Sequence, residues 1–423
     1  MPVAPEPTDP APPAAPYAIW RLRAYQLYTS SWFLMTFARQ IETVALAVYV
    51  YAQTGDPLAL GWLGLTQALP VIVLAIPAGH LADRWDRRWV LAGMVGVTTV
   101  VSLGLTVACW RDASVAWIYL LLAISAVGQA LGGPSRSALL PQLIPIVNFS
   151  QAVAWNSSVF QIAFMIGAAV GGRLVGLHDG VPIALATVVA CRLLSLVALA
   201  AIPRPRLQQA LQSLSLESLM AGVRFVWSRK PILATITLDL FAVLVGGCTY
   251  LLPVFAQEIL KAGPAAVGYL TAAEAAGAIA MSLVLAHLPP MRRAGWTMLW
   301  AVAAFGLTTI VFGLSRSLWL SFAMMFLMGA FDNISVVVRH SLVQMLTPDA
   351  MRGRVSAVNN IFIEASNHLG GLESGVTAWL FSPVISVVGG GIGTLLIVAA
   401  AARLWPQILR IGSLRDLRPE ETS

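Results

Sequence analysis

Apolar runs of about 20 residues recur along the whole chain, and no other feature restricts its fold as strongly. A bilayer core about 30 Å thick is crossed by an α-helix of about 20 predominantly apolar residues. With 58% hydrophobic and 11% charged residues in a chain of 423, the composition differs from that of soluble domains, which carry about 25% charged residues. The runs therefore predict an all-α integral membrane protein that crosses the bilayer many times.

The apolar runs, taken between charges, prolines or glycines, predict twelve membrane spans in two sets of six. The longest polar link, 203–230, separates the sets and contains an amphipathic segment at 213–227, which predicts a helix on the membrane surface. The predicted spans are 24–52, 57–82, 89–110, 115–139, 151–176, 182–202, 231–260, 264–288, 294–314, 317–346, 354–381 and 383–406. The predicted divisions are a disordered tail at 1–20, a six-helix bundle at 21–202, the linker at 203–230, a six-helix bundle at 231–410 and a tail at 411–423.

Arginine and lysine residues are concentrated in alternate links between the spans. The links on one side contain only Arg111, Lys261 and Arg316, and most of the remaining basic residues fall on the other side. Because cytoplasmic loops carry the excess of basic residues, both termini are predicted to be cytoplasmic. Orientation in the membrane also explains the net charge of +7, so nucleic acid is not an expected partner.

The two sets of spans share a weak internal repeat. Similar residues recur at a constant offset of 203 in one block and of 207 in another, in the same order along the chain. The matched pairs include Arg136 with Arg339, Asn156 with Asn359, Gly61 with Gly268, and Gln67 with Glu274. The repeat indicates two duplicated six-helix halves, an arrangement known in secondary transporters.

The link between spans two and three, "GHLADRWDRR" at 79–88, concentrates charge between apolar segments. It resembles the loop motif Gly-x-Leu-x-Asp-Arg-x-Gly-Arg-Arg of the major facilitator superfamily, with Asp86 in place of the second glycine. The matching residues are Gly79, Leu81, Asp83, Arg84, Arg87 and Arg88. The segments "TGDPLALGWLGLTQALP" and "LVQMLTPDAMRGRVSAVNNIF" resemble the branch of that superfamily that contains macrolide and enterobactin exporters.

This resemblance implies two pseudo-symmetric six-helix bundles around a midplane cavity, with alternating access. It implies export of an amphipathic small organic molecule (a drug, macrolide or siderophore) by proton antiport across a bacterial inner membrane, by a chain expected to be a monomer. Two alternatives are a lipid or lysolipid transporter and a non-transporting receptor or scaffold on the same fold. Span five contains "GAAVGG", which lacks the proline of the antiporter motif and keeps the glycines that permit close helix approach.

The resemblance also gives Asp83 a conformational role. In the superfamily this aspartate lies against the N-terminal end of span eleven, where backbone N–H groups and the helix dipole favour a negative charge. In this chain that end is expected near Arg354 and Val355. We expect Asp83 to act as a latch that closes the cytoplasmic side and favours the outward-facing state.

Ionisable residues inside the predicted spans are the candidate functional residues, because each costs about 2.5–3.5 kcal/mol on insertion scales. Arg39 and Glu42 lie three apart on one face of span one. They form either a self-neutralising pair near a helix interface or a cavity-lining pair that binds a polar substrate group or relays a proton. The resemblance favours the second interpretation, because spans one, four, seven and ten line the cavity in this superfamily.

Asp332 and Arg339 lie two turns apart on one face of span ten, and Asp239 lies in span seven. An apolar environment disfavours the charged form of a carboxylate, so that such a group exchanges a proton more readily. Asp332 and Asp239 are therefore the leading candidates for proton coupling, and Asp332 and Arg339 are candidates for the substrate cavity. The alternative is a structural salt bridge within or between helices. Arg136 and Arg339 are predicted near helix ends, where they could extend to the interface.

Span eleven carries Asn360, Glu364 and Asn367 on one face, with His368 adjoining. A polar stripe on one helix face predicts either a water-accessible cavity wall or hydrogen bonds between helices. Glu364 is a further candidate for proton coupling, and the two asparagines are candidates for the substrate cavity. Tryptophans near span ends, Trp32 among them, are predicted to anchor the chain at the membrane interface.

Enzymatic chemistry has little support in the sequence. The five histidines are scattered, and no pair of them has the spacing that would place ligands on one helix face, so no metal site is predicted. A phosphate-binding loop of the P-loop type is also lacking. We therefore expect no cofactor, and we expect transport to depend on an ion gradient.

Overall fold

The computed structural model describes residues 18–84, 86–203, 216–289, 291–410 and 412, with only the backbone for 18, 75–84, 134, 146, 150, 216, 218, 219, 349, 350 and 410. Within these residues the regular structure is helical, and eleven helical segments are long and apolar enough to cross a membrane. The helices of the first half are α1 Arg23–Thr54, α2 Pro57–Arg84, α3 Arg87–Trp110, α4 Val115–Leu143, α5 Phe149–Val175 and α6 Gly180–Ala200, followed by α7 Leu216–Ser228. Those of the second half are α8 Lys230–Gly246, α9 Leu252–Val254, α10 Ala265–His287, α11 Ala294–Leu314, α12 Leu318–Leu346, α13 Asp349–Leu380, α14 Pro383–Leu404 and α15 Pro406–Arg410.

The eleventh predicted span corresponds to α13, which is not among the eleven apolar segments and differs in composition from the other long helices. Its 32 residues are long enough to cross a bilayer, but they include several charged residues and are less apolar than the other spans. It begins at Asp349, directly after Pro348, five residues before the predicted start at 354. The prediction placed the start at the first apolar run, whereas the helix begins directly after Pro348, which precedes its first turn. Arg354 and Val355 consequently lie in its second turn, so that the N-terminal end is near them, as expected, but one turn earlier.

The seventh span is interrupted, although hydropathy predicts one continuous helix. α8 ends at Gly246, and the span resumes with a 3₁₀ turn at Thr249–Leu251, the short α9, and a π-helical turn at Phe255–Ile259. The consecutive glycines Gly246 and Gly247 and the nearby Pro253 are residues at which helices break or kink. The interruption places Thr249 and Tyr250 on irregular backbone within the seventh span.

The two halves pack their helices in the same pattern, as the internal repeat predicts. In the first half, the extensive contacts join α1 with α5 and α6, α4 with α2 and α3, and α3 with α6. In the second half, the corresponding contacts join α8 with α13 and α14, α12 with α10 and α11, and α11 with α14. The all-α fold of two pseudo-symmetric bundles is thereby confirmed.

Two helix pairs, α2 with α13 and α5 with α10, make the main contacts between the halves. We call the membrane face on which α1 ends the far side, and the face on which it begins the near side. On the far side the glycines permit direct backbone contact: a Cβ added to Gly172 would lie 2.8 Å from the Cα of Gly268, and one added to Gly375 would lie 2.9 Å from the Cα of Gly61. The Tyr51 hydroxyl of α1 also donates to Glu258. These contacts hold the halves together on the far side.

The linker helix α7 begins at Leu216 and ends at Ser228, close to the predicted segment. One of its faces packs on α13, where a Cβ added to Gly222 would lie 2.9 Å from the carbonyl oxygen of Arg354. Val226 is buried in a cluster with Val355 and Val358. The opposite face exposes Trp227, a residue type that is typical of membrane interfaces.

Candidate functional site

Polar side chains from both halves meet between the bundles. In the second half, the Tyr250 hydroxyl lies 2.8 Å from Nδ1 of His368, and Nε2 of His368 lies 3.6 Å from the Glu364 carboxylate. In the first half, Arg39 of α1 and Arg136 of α4 both interact electrostatically with that carboxylate. With Trp32, these residues form what we call the interhalf cluster.

Arg136 is held by aromatic stacking. Its guanidinium lies 3.5 Å from the centroid of the Trp32 ring, and the Trp32 ring in turn stacks on Phe160 of α5 at 5.8 Å. The Tyr28 hydroxyl also donates to the Arg136 carbonyl oxygen. Stacking occupies the face of a guanidinium and leaves its N–H edge available to donate. The predictions that Arg136 extends to the interface and that Trp32 is an interface anchor were therefore wrong.

A second polar group lies inside the C-terminal half. Arg339 of α12 is paired with Asp239 of α8, and both side chains are buried, with relative exposures of 3% and 4%. Asp332 interacts electrostatically with both of them, and Glu274 of α10 interacts with Asp332. We call these four residues the acid cluster. A small cavity next to it is lined by Asp239, Asp332 and Ser335.

The acid cluster resolves one alternative left by the sequence. Arg339 forms its ion pair between helices, with Asp239, and not within span ten with Asp332. Arg339 is buried and so does not extend to the membrane interface. Its Nε is buried without a hydrogen-bond partner. The cluster thus contains three carboxylates and one guanidinium whose donors are not all used.

Glu42 belongs to a different network from the one predicted. Its carboxylate accepts from Nη2 of Arg192 at 3.0 Å and from the Ser102 hydroxyl at 2.6 Å. Arg192 also donates to Ser102 and, at 2.6 Å, to the Thr98 carbonyl oxygen. Neither predicted form of an Arg39–Glu42 pair is present, because Glu42 faces α3 and α6 in the interior of the bundle, whereas Arg39 is exposed.

The charged link after α2 connects helices of the first half on the near side. Arg87 donates to the Ala138 carbonyl oxygen at 3.1 Å, and Arg88 donates to the carbonyl oxygens of Leu199 and Ala200 at the end of α6. A cation at the C-terminal end of a helix is favourable. Gly79, Asp83 and Arg84 lie in the last turns of α2, where only the backbone is described, so the latch at Asp83 stays a prediction.

The polar stripe of α13 faces the space between the halves. Asn360, Glu364 and Asn367 are exposed, and a Cβ added to Gly371 on the same stripe would meet the Tyr250 ring. Sequence reasoning placed Glu364 with its neighbours but missed Tyr250 and Glu274 as site residues. Glu274 is a repeat partner of Gln67, and that substitution of an acid for an amide was the available signal.

The interrupted seventh span lies between the two polar groups. Tyr250 contacts His368 of the interhalf cluster, and the adjacent Thr249 interacts with Glu274 of the acid cluster. Two consecutive residues of the 3₁₀ turn thus interact with the two polar groups. Most of the segment that follows, from Leu251 to Ala256, is buried within the protein, whereas Thr249 is exposed. Irregular backbone at membrane depth is tolerated where it is buried in protein or lines a cavity.

Known proteins are similar to this chain in sequence and in fold. Residues 14–419 match the family described as transmembrane secretion effector. Enterobactin exporter EntS of Shigella boydii serotype 4 is 28% identical over 375 residues, which cover 86% of this chain and 88% of that protein. EntS of Escherichia coli O1:K1 is 26% identical over 360 residues, which cover 84% and 85%.

Solved structures give the fold at lower identity. A bacterial homologue of the human lysosomal transporter Spinster, in an inward-facing and unoccupied conformation, superposes with a TM-score of 0.72 at 15% identity, covering 95% of this chain and 99% of that one. A D-xylose–proton symporter superposes with a TM-score of 0.69 at 15% identity, covering 95% and 98%. The chain belongs to the transmembrane secretion effector family and is a transporter with the major facilitator superfamily fold.

Proposed function

We propose that this transporter exports an amphipathic small organic molecule by alternating access, driven by proton antiport. It acts as a monomer in a bacterial inner membrane, with both termini in the cytoplasm, so that the near side is cytoplasmic. The EntS relatives, which are named as exporters, support the direction of transport. The far-side contacts between the halves correspond to a conformation that is open toward the cytoplasm.

The observation that carries the coupling is the ratio of charges in the acid cluster. Asp239 and Asp332 share the guanidinium of Arg339, and Glu274 adds a third carboxylate that interacts with Asp332. Several carboxylates in an apolar interior do not all ionise at low cost, because like charges repel and each loses its hydration. A proton supplies the missing positive charge, and Asp332 lines the small adjacent cavity.

The other two coupling candidates have more specific partners. Glu42 already receives hydrogen bonds from Arg192 and Ser102 inside the first bundle. Glu364 faces two arginines between the halves. We therefore assign proton coupling to Asp332 and Asp239, on the helices that correspond to spans seven and ten.

The test is Asp332→Asn in the full chain reconstituted in proteoliposomes with a pH gradient. We expect the substitution to abolish proton-driven efflux of a compound that the wild type exports, while leaving its binding measurable. The matched control is Asp112→Asn, because Asp112 is an exposed far-side residue at φ 48°, a conformation that asparagine also tolerates.

The possible results test the role of Asp332 separately from the proposed transport function. Efflux by Asp332→Asn at the wild-type rate, still abolished by a protonophore, would remove Asp332 from the mechanism. Wild-type protein that moves no compound of a broad panel and yet co-purifies with a partner protein would favour a scaffold. Movement of a lysolipid alone would favour lipid transport.

A further inference from the structure

The interhalf cluster has a charge composition that bears on the transported molecule. Two guanidinium groups, of Arg39 and Arg136, face one carboxylate, that of Glu364. Glu364 is also shared with His368, and its side chain is 47% exposed. The space between the halves therefore has an excess of positive charge toward an opening that water reaches.

The geometry of Arg136 adds a flat apolar surface next to that charge. Its guanidinium is stacked on Trp32, which is itself stacked on Phe160. In this arrangement the N–H edge of the guanidinium is free to bind a carboxylate or phenolate in its own plane. An aromatic ring attached to such an anion would lie along the edge of the same stack.

The exposure of Arg39 completes the arrangement. Arg39 lies on the exposed face of α1 and interacts electrostatically with Glu364 and Tyr250 across the space between the halves. A positively charged cleft with low-dielectric walls concentrates anions from the solution. A cationic substrate would have to approach two guanidinium groups to reach a single carboxylate, which already lies 3.6 Å from Nε2 of His368.

We propose that the transported molecule is an organic anion with an aromatic ring next to its charged group, bound by Arg39 and Arg136 beside Trp32. Glu364 competes with the substrate anion for these two arginines and keeps them in place when the site is empty. This inference rests on the proposed transport function and specifies the substrate class of its central site.

The test uses three probes that share one ring system and differ in charge: naphthoate, naphthylmethanol and naphthylmethylammonium. Binding to the purified full chain in detergent is measured by equilibrium dialysis. We expect naphthoate to bind more tightly than the other two. Arg39→Gln and Arg136→Gln should each weaken naphthoate binding about tenfold or more, the effect of losing a hydrogen bond to a charged group.

Glu364→Gln gives a prediction of opposite sign that no loss of folding could mimic. Removal of the competing carboxylate should tighten naphthoate binding about two- to fivefold, as expected for an exposed ion pair. The matched control is Arg403→Gln, because Arg403 is exposed in the last turn of α14 and lies outside the cluster.

The proposal is overturned if naphthoate does not bind, if naphthylmethylammonium binds more tightly, or if the arginine variants leave naphthoate binding unchanged. Flux assays in the same proteoliposomes separate this failure from failure of the proposed function. Protonophore-sensitive export of cations alone would refute the anion specificity while sustaining the transport function. A complete lack of flux for all compounds would refute the transport function itself.

Discussion

Among the residues that the structure describes, each half buries one ion pair, and the two pairs differ in how their donors and acceptors are used. In the N-terminal half, both oxygens of Glu42 accept hydrogen bonds, and Arg192 donates to three acceptors. In the C-terminal half, Arg339 pairs with Asp239 but has a buried Nε without a partner, and further carboxylates lie nearby. A saturated network holds helices together, whereas an acid-rich one has capacity for a proton.

The internal repeat shows a further difference between the two halves, in the partners of two related arginines. Arg136 and Arg339 are related by the offset of 203, yet they meet different partners. Arg339 reaches Asp239 of α8, whereas Arg136 stacks on Trp32 of α1, which precedes Asp239 by 207 residues, the second repeat offset. A carboxylate in one half is thus replaced by an indole in the other. As a result, the first-half arginine keeps its charge available to the space between the halves.

The largest expected effect comes from breaking the saturated pair. Arg192→Ala leaves the Glu42 carboxylate buried without its cation, and we expect a loss of about 3–5 kcal/mol in the free energy of unfolding. Thermal unfolding in detergent measures it, with Arg173→Ala, at an exposed position, as the control. The double variant Glu42→Leu with Arg192→Met should recover most of the loss. Unchanged stability of Arg192→Ala would contradict a structural role for the pair.

A smaller effect on stability is expected from Asp239→Asn, because Asp332 remains to neutralise Arg339. We expect a loss of about 1.5–3 kcal/mol, the range for a hydrogen bond to a charged group. Proton-driven transport should be lost nonetheless. The comparison between the halves fails if Asp239→Asn destabilises the protein as much as Arg192→Ala, or if it transports normally.

The smallest expected effect on stability concerns Trp32, whose indole occupies the position that corresponds to Asp239 in the repeat. Trp32→Leu removes the cation–π contact with Arg136, worth about 0.5–2 kcal/mol. A double-mutant cycle with Arg136→Gln isolates this term, measured by thermal unfolding. The control is Trp117→Leu, since Trp117 is exposed in the first turn of α4. A coupling energy of zero would show that the stacking contributes nothing to stability.

The sequence was sufficient to predict the number of spans, their order and the duplication, because hydropathy and repeat offsets are local and regular. It was insufficient for the partners of the buried charges. Glu42 lies three residues from Arg39 but pairs with Arg192, which is 150 residues away. That choice depends on how α1 is rotated within its bundle, which hydropathy does not determine.

Hydropathy also does not predict the interruption of the seventh span. The run 231–260 is apolar throughout, so its hydropathy is that of a continuous helix. Glycine pairs occur in other spans of this chain without ending them, as Gly171 and Gly172 do in α5. The break at Gly246 and Gly247 depends on the contacts that Thr249 and Tyr250 make with neighbouring helices.

That break has a thermodynamic consequence. Thr249 and Tyr250 are neighbours in the chain, and one contacts Glu274 while the other contacts His368. Suppose that a molecule bound at the acid cluster shifts this segment and changes the affinity at the interhalf cluster by some factor. Binding at the interhalf cluster then changes the affinity at the acid cluster by the same factor, because linkage between two binding equilibria is reciprocal. The strength of this coupling depends on the stiffness of the backbone at Thr249 and Tyr250. Because Gly246 and Gly247 precede these residues, a single substitution at either glycine can alter that stiffness.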